Sequence, residues 1–236
     1  MNLLINNAGF FLDGLLKTLA LAGVTLLGAT VIGVLIGTLA NARFAPLRWL
    51  MRGYIELLRG IPLIVNIFFV FFGAPLLGLD LSPFAAVTLG LSLWGGANAA
   101  ELVRGALNAV PVHQINSARA LGLKSWEVLC LVSGPQAFRH VLPAYVGLLT
   151  LLLQSTTLGA IVGVSEFFRV GQLVVERTTM MDGYNAAPAV YGLILLVYFL
   201  LCSVLTALGR RLERKLKHER PTLEVTPANS PALTPN

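Results

Sequence analysis

The stretch INSARALGLKSWEVLCLVSGP, residues 115–135, is a moderately polar, helix-forming segment in a chain that is otherwise rich in apolar residues. Gly122 lies near its middle, and Gly134-Pro135 lies at its end. A loop that merely joins two helices needs far fewer residues, because most such connections are only a few residues long. The length and composition of this segment therefore indicate a structured element with a role of its own.

The composition of the chain is that of a membrane protein. Hydrophobic residues make up 56% of the 236 residues and charged residues only 12%, whereas a soluble domain has roughly 25% charged residues. The mean hydropathy of +0.78 agrees with this assignment. The two cysteines, Cys130 and Cys202, lack a metal-type spacing, so we predict free thiols and no metal site.

Five uncharged runs are long enough to cross a membrane as helices. A hydrocarbon core of about 30 Å requires roughly 20 apolar residues, and a helix satisfies all the backbone hydrogen bonds of such a run in lipid. The predicted spans are 18–40, 60–79, 81–100, 141–165 and 183–209. The sequence thus predicts an all-α membrane protein in which residues 1–17 lead into the first span, 18–215 form the five-span domain with a loop at 109–139, and 216–236 form a disordered tail.

The basic residues are distributed unequally between the two ends of these spans. Of the 17 Lys and Arg residues, all but Lys17, Arg169 and Arg177 fall at one end. Cytoplasmic loops carry the excess of basic residues, so we predict that the amino terminus is outside and the carboxyl terminus is cytoplasmic. This topology accounts for the net charge of +6 and argues against nucleic-acid binding. The basic run 210–220 is predicted to continue the fifth helix and to anchor it to anionic membrane lipid.

On this topology the segment 115–135 lies in the cytoplasm and is predicted to form two short helices. The second helix covers 126–132, with Ser125 as its N-cap, and Gly134-Pro135 is predicted to end it. Gly122 separates it from a first helix, whose narrow apolar stripe consists of Val112, Ile115, Ala118 and Leu121.

Such a helix pair lies either on the lipid surface or in a groove of another protein. Membrane-surface helices are usually rich in Lys and Arg, whereas Arg119 and Lys124 are the only basic residues between Pro111 and Gly134. Two short helices joined at a glycine also suit a protein groove. The composition therefore favours docking on a protein.

The same segment resembles the cytoplasmic EAA loop of ABC importer permeases. The pattern of that loop is Glu-Ala-Ala, three residues, Gly, nine residues, then Ile-x-Leu-Pro. The matching positions in this chain are Asn116, Ser117, Ala118, Gly122 and Pro135, with Asn116 in place of the glutamate. The resemblance implies that these residues belong to a coupling helix, which contacts a separate ATP-binding subunit and transmits its movement to the spans.

Five further stretches resemble the polar amino-acid uptake branch of that family, which includes histidine-, glutamine- and glutamate-type permeases. They are ELLRGIPLIV at 56–65, AAELVRGALNAVP at 99–111, ARALGL at 118–123, PQAFRHVLPAY at 135–145 and QSTTLGAIVGVSEFFRVGQ at 154–172. The resemblance implies a type I ABC importer transmembrane domain in a bacterial inner membrane. It further implies a second permease subunit, which is either the same chain or a paralogue, an ABC ATPase dimer that binds ATP and Mg, and an extracytoplasmic amino-acid-binding protein.

The chain contains no G-x-x-x-x-G-K-[ST] phosphate loop. We therefore predict a permease subunit that is not an enzyme, has no catalytic residues and binds no cofactor itself. The alternative function is a stand-alone secondary transporter or channel. An odd number of spans without an internal repeat argues against it, because such carriers commonly contain repeats.

Two groups of polar residues lie at membrane depth. Arg59 and Glu101 are each about 10 Å inside the predicted edge, and Arg104 is one turn from Glu101. These three are predicted to form an intramembrane ion-pair cluster, with direct substrate contact as the alternative. The second group is Gln154, Ser155, Thr156 and Thr157 in the fourth span, which form either a hydrogen-bond network inside the bundle or the lining of the substrate path.

Asn98 is a further candidate for the substrate path. The family's amino-acid importers usually have an aromatic residue at this position, and an amide facing lipid without a partner is costly. Asn98 therefore either hydrogen-bonds a neighbouring helix or lines the path together with the run 154–157. Beyond the fourth span, residues 165–177 are predicted to form a short helix with Ser165 as N-cap, acting either as a gate or as a docking surface for a binding protein.

Overall fold

The computed structural model describes residues 2–218, and every regular element in that range is a helix. The predicted all-α class is confirmed. The helices are α1 (Asn2–Asn6), α2 (Ala8–Leu39), α3 (Ala45–Gly60), α4 (Leu63–Gly73), α5 (Pro83–Asn108), α6 (Val112–Ala120), α7 (Ser125–Glu127), α8 (Gly134–Ser155), α9 (Phe167–Asp182) and α10 (Ala187–His218). Two 3₁₀ turns, Ala74–Leu77 and Thr156–Val162, follow α4 and α8, and a π-helical turn, Val128–Ser133, joins α7 to α8.

Three helical segments are long and apolar enough to cross a membrane. They are Ala8–Leu39, Ser125–Val162 and Ala187–Leu216, and the bent pair formed by α3 and Leu63–Leu77 is a fourth if it counts as one span. The remaining predicted span lies in α5, which is 26 residues long. Helices α2, α3, α4 and α8 all pack against α5. Because its neighbours cover it, α5 needs less apolar surface than the helices that face lipid.

A bend at Pro62 is expected from the sequence, but the second predicted span, 60–79, is wrong at its start, because residues 61–62 form the bend and the helix begins only at Leu63. Helix α3 ends at Gly60, and the chain bends by 105° before α4 begins. The cause is Pro62, which disfavours a helical conformation in the residue before it. Ile61 is accordingly extended, with φ −91° and ψ 134°. The start of the first predicted span, at residue 18, also differs from the structure. Helix α2 begins at Ala8 and includes most of the predicted lead segment 1–17.

The prediction that Gly134-Pro135 ends the loop helix is also wrong. The chain stays helical from Ser125 through a π turn into α8. Proline is tolerated here because it lies in the first turn of α8, where its missing N–H is not needed. The Gly134 N–H donates to the carbonyl of Leu129, and a Cβ on Gly134 would lie only 2.6 Å from that oxygen.

In two helices the N-cap residue differs by one position from the residue predicted for it. The N-cap of α7 is Lys124 rather than Ser125, because the Glu127 carboxylate reaches back to accept from the Lys124 N–H at 2.6 Å. The N-cap of α9 is Glu166 rather than Ser165. Helix α10 continues into the basic run as predicted, as far as His218, so residues 216–218 of the predicted disordered tail are helical, and residues 219–236 lie outside the described residues.

Close packing of α2 on α5 depends on glycines in α2. A Cβ on Gly37 would lie 2.5 Å from the Ala100 carbonyl oxygen and 2.8 Å from the Val103 Cβ. A Cβ on Gly33 would meet that of Ala99. Small residues let two helix backbones approach in lipid, so these glycines set the distance between the first span and the central helix.

We expect Gly37→Leu to destabilise the bundle by about 1–3 kcal/mol, because overpacking forces the two helices apart. The measurement is the midpoint of thermal unfolding in detergent. Gly23→Leu is the matched control, because it lies on the same helix and a Cβ there meets nothing within 4 Å. Equal midpoints for the two variants would contradict the packing role of Gly37.

Candidate functional site

The loop between α5 and α8 is a folded unit with a glycine at its tip. Gly122 has a φ of +86°, a conformation that residues with a side chain rarely adopt. Its N–H donates to the Arg119 carbonyl at 3.0 Å, and the Leu123 N–H donates to the Ala118 carbonyl at 3.2 Å. These bonds end α6 in a left-handed turn. The conformation rather than lack of space requires glycine, since a Cβ at Gly122 would meet nothing within 4 Å.

Helix α6 has an inner and an outer face. Ile115 packs against the buried cluster of Ala106, Val110 and Ala137, and Ala118 is buried. Asn116 and Ser117 are exposed on the outer face. Leu121 at the tip is 83% exposed, and Pro135 is exposed at the start of α8. Of the five residues predicted to couple to an ATPase, all except Ala118 and Gly122 therefore offer an exposed side chain, and Gly122 shapes the tip.

A direct hydrogen bond ties α6 to the first turn of α8. The Gln136 Nε2 donates to the Gln114 Oε1 at 2.6 Å and to the Val132 carbonyl at 3.0 Å. This hydrogen bond connects α6 directly to the start of a membrane span. The sequence analysis did not identify this pair, because two glutamines 22 residues apart give no local signal.

The predicted charge cluster forms in part. Arg104 makes a bidentate ion pair with Glu101, with N–O distances of 2.6 and 2.8 Å. Arg59 lines the same cavity, of about 180 Å³, together with Arg52 and Glu56.

The Nε of Arg59 donates to the Asn98 Oδ1 at 3.4 Å, and the Asn98 Nδ2 donates to the Trp94 carbonyl. Asn98 thus joins the charge cluster and its own helix backbone.

Removal of Glu101 is expected to destabilise the protein through Arg104. The two side chains are 29% and 27% exposed, so we expect Glu101→Ala to cost roughly 1–3 kcal/mol, less than the 3–5 kcal/mol of a fully buried pair. Adding Arg104→Ala should restore part of this loss, whereas adding Arg59→Ala should not. A double-mutant cycle on unfolding free energy measures both couplings. Stronger coupling to Arg59 than to Arg104 would contradict this assignment.

The side chains of the polar run 154–157 contact other residues than those of the charge cluster around Glu101. Ser155, Thr156 and Thr157 donate to backbone carbonyls one turn earlier. Gln154 donates to the Cys202 Sγ at 3.6 Å and lines a groove of about 420 Å³ along α10. The structure therefore associates Gln154 with α10 and Asn98 with α3 and α5, and does not place them in one pocket.

Glu166 is a buried group whose importance the sequence did not indicate. Its carboxylate is fully buried and accepts from the Phe168 and Arg169 N–H groups at 2.8 and 2.7 Å. It also accepts from the Tyr198 hydroxyl at 3.2 Å and lies 3.4 Å from the Thr18 Oγ1. Burial raises the pKa of Glu166, although these hydrogen bonds act in the opposite direction. The carboxylate joins α9 to α2 and α10 at the end of the bundle remote from α6.

The helical bundle and its exposed helical loop are similar in fold to a solved transporter structure. The bundle superimposes on the structure described as an amino acid ABC transporter with histidines, with a TM-score of 0.79 at 24% identity, over 90% of this chain and 96% of that one. The predicted type I ABC importer transmembrane fold is thereby confirmed.

The family follows from sequence comparison. Residues 29–218 match the family of binding-protein-dependent transport system inner membrane components. The chain is 31% identical to the arginine transport system permease protein ArtQ of Bacillus subtilis over 215 residues, which cover 88% of this chain and 93% of ArtQ. It is 30% identical to the glutamine transport system permease protein GlnP of Escherichia coli over 208 residues, 87% of this chain and 92% of GlnP. The chain belongs to this family, as an ABC transporter permease of the polar amino-acid type.

Proposed function

We propose that this chain is the transmembrane permease subunit of an ATP-driven importer, and that its 109–139 loop docks on a separate ATP-binding subunit. The observation that carries the proposal is the exposed apolar tip of the loop. Leu121 and Trp126 are 83% and 63% exposed on either side of Gly122. Exposed apolar side chains held in a defined turn are typical of a surface that seats in a protein groove.

A second permease subunit, either a copy of this chain or a paralogue, is proposed to cover the groove between α8 and α10. Gln154, Ser203, Thr206 and Arg210 line this groove, which is open in the single chain. Polar groups that face lipid without partners are costly, so a protein surface suits this face better than lipid. We propose that the substrate path runs along it, with Gln154 as the first candidate for contact.

An extracytoplasmic binding protein is proposed to dock at the opposite end of the bundle. Met180, Met181 and Tyr184 are exposed at the end of α9 and in the turn that follows it. Glu166 holds the start of α9 rigidly against α2 and α10. This arrangement supports a docking surface rather than a freely moving gate. We propose that the amino terminus is outside and the coupling loop in the cytoplasm of a bacterial cell, because most of the basic residues lie at the end of the spans that carries this loop.

The substrate class is proposed to be polar amino acids. The relatives described above are permeases of arginine and glutamine transport systems, and the cavity beside Asn98 combines cationic and anionic side chains that suit a zwitterion. The test is uptake of a panel of labelled amino acids by the complete complex in proteoliposomes loaded with ATP. We expect accumulation of one or a few polar amino acids. Uptake that favours apolar amino acids, or does not discriminate, would contradict the proposed substrate class.

Asn98→Leu separates the two interpretations of this amide. If Asn98 contacts substrate, the variant changes the order of preference among the amino acids while basal ATPase activity stays near normal. If it only holds Arg59, the order is unchanged. The matched control is Asn108→Leu, which is exposed at the end of the same helix.

A further inference from the structure

An apolar groove opens on the side of the bundle between α2 and α8, with α5 as its floor. It offers about 290 Å³, and its walls include Ala106, Ala137 and Val141. The side chains at its rim, Val34 and Phe138, are 50% and 52% exposed. Val34 lies little more than one turn before the end of α2, so the groove is at the depth of acyl chains near one membrane surface.

The groove lies between α2 and α8, toward the end of α2. Closer to the centre of the bundle, the Thr30 and Tyr145 hydroxyls form a hydrogen bond between these helices. Ala29 packs there with Leu148 and Leu152. Toward the end of α2, the space between the two helices is lined only by apolar side chains, apart from Thr38 and Cys130. An apolar space of this kind favours a hydrocarbon occupant.

A second groove, of about 420 Å³, adjoins the first at the ends of the spans. The two share Thr38, Leu107 and Leu129 as lining residues. Arg43 and Arg119 line the second groove, and none of its described lining residues is acidic. Within residues 2–218 neither guanidinium group has an ion-pair or hydrogen-bond partner. The groove therefore presents two unneutralised guanidinium groups beside an apolar space.

We propose that the two grooves form one binding site for an anionic phospholipid, with an acyl chain in the apolar groove and the phosphate held by Arg43 and Arg119. The occupant must be apolar on the membrane side and anionic at the surface, which describes such a lipid. Guanidinium groups match phosphate geometry, and basic pockets between membrane helices are suited to anionic head groups. Because Arg119 belongs to α6 and Trp126 also lines the second groove, the bound lipid contacts the coupling loop beside the tip that is proposed to dock on the ATP-binding subunit.

The test measures binding of phosphatidylglycerol and phosphatidylcholine to the purified full chain by native mass spectrometry. The variant Arg43→Gln with Arg119→Gln is expected to lose about 25-fold in relative affinity for phosphatidylglycerol, at about fivefold for each arginine. Both side chains are exposed and unpaired, so the variant should fold normally. The matched control, Lys124→Gln with Arg211→Gln, removes the same charge outside both grooves and should retain the preference.

A second variant tests the apolar half of the site. Cys130 is exposed on the groove wall, so Cys130→Trp should fill the groove and weaken binding of phosphatidylglycerol about tenfold, the equivalent of roughly two buried CH₂ groups. If Cys130→Trp binds phosphatidylglycerol as well as the unmodified protein does, the lipid is attracted only to a basic surface and its acyl chain does not occupy the apolar groove. This result would overturn the proposal. Equal losses in the two charge variants, or displacement of the lipid by millimolar inorganic phosphate, would also overturn it.

Discussion

Gly122→Val is expected to leave the protein folded in the membrane and to uncouple it from ATP hydrolysis. Valine at a φ of +86° carries a backbone strain of about 1–3 kcal/mol. The loop relieves that strain by changing its turn, and this moves Leu121 away from the position that the proposed partner receives. A penalty of this size lowers the equilibrium ratio of the native turn to other turns by roughly 5- to 150-fold. Transport and ATPase stimulation should fall together by about that factor.

The measurement is ATPase activity and uptake of the reconstituted complex, alongside the amount of folded protein. Gly122→Asn should retain most activity, because asparagine tolerates the left-handed conformation better than other residues. Gly105→Val is the matched control, since Gly105 has an ordinary helical φ and a Cβ there meets nothing within 4 Å. Normal transport by Gly122→Val would mean that the tip does not enter a tight interface.

Glu166→Ala is expected to lower the amount of folded protein more than any other single change proposed above. Its carboxylate caps α9 and also binds Tyr198 of α10, close to Thr18 of α2. Its removal leaves buried donors without acceptors, at about 1–3 kcal/mol for each group, and also removes a helix cap worth about 1 kcal/mol. We expect a total loss of roughly 3–5 kcal/mol in the free energy of unfolding.

Two further variants test whether the buried hydrogen bonds of Glu166 cause this loss of unfolding free energy. Glu166→Gln should recover only part of the stability, because its NH₂ group would face one of the N–H or hydroxyl donors. Glu176→Ala on the same helix removes an exposed carboxylate, 3.5 Å from Arg169, and should cost less than about 1 kcal/mol. The measurement is the midpoint of thermal unfolding in detergent for Glu166→Ala, Glu166→Gln and Glu176→Ala. Equal midpoints for Glu166→Ala and Glu176→Ala would show that the buried contacts of Glu166 contribute little.

The local features of the sequence predicted much of the fold. Runs of uncharged residues located the long helices, because their length is fixed by the membrane rather than by contacts between helices. The exception is the run 60–79, where the effect of Pro62 on Ile61 outweighed the apolar composition. The sequence also predicts the turn at Gly122, because a glycine between two helix patterns is a local signal.

The contacts between distant residues could not be predicted from the sequence. Asn98 and Gln154 were placed at similar depth, but depth does not determine which way a side chain points around its helix. The structure directs Asn98 to Arg59 and Gln154 to Cys202. No local pattern in the sequence marks Glu166 as a structural residue, because its partners Thr18 and Tyr198 are distant in the chain and are brought to it by the fold.

The most direct test of the central claim is amino-acid uptake into proteoliposomes with and without the separate ATP-binding subunit. With that subunit, a second permease, the external binding protein and ATP, we predict accumulation against a gradient that requires hydrolysis and is lost in Gly122→Val. With this chain alone, we predict no accumulation under either a proton or a sodium gradient. Accumulation by the chain alone, driven by an ion gradient, would contradict the importer assignment and support a stand-alone transporter.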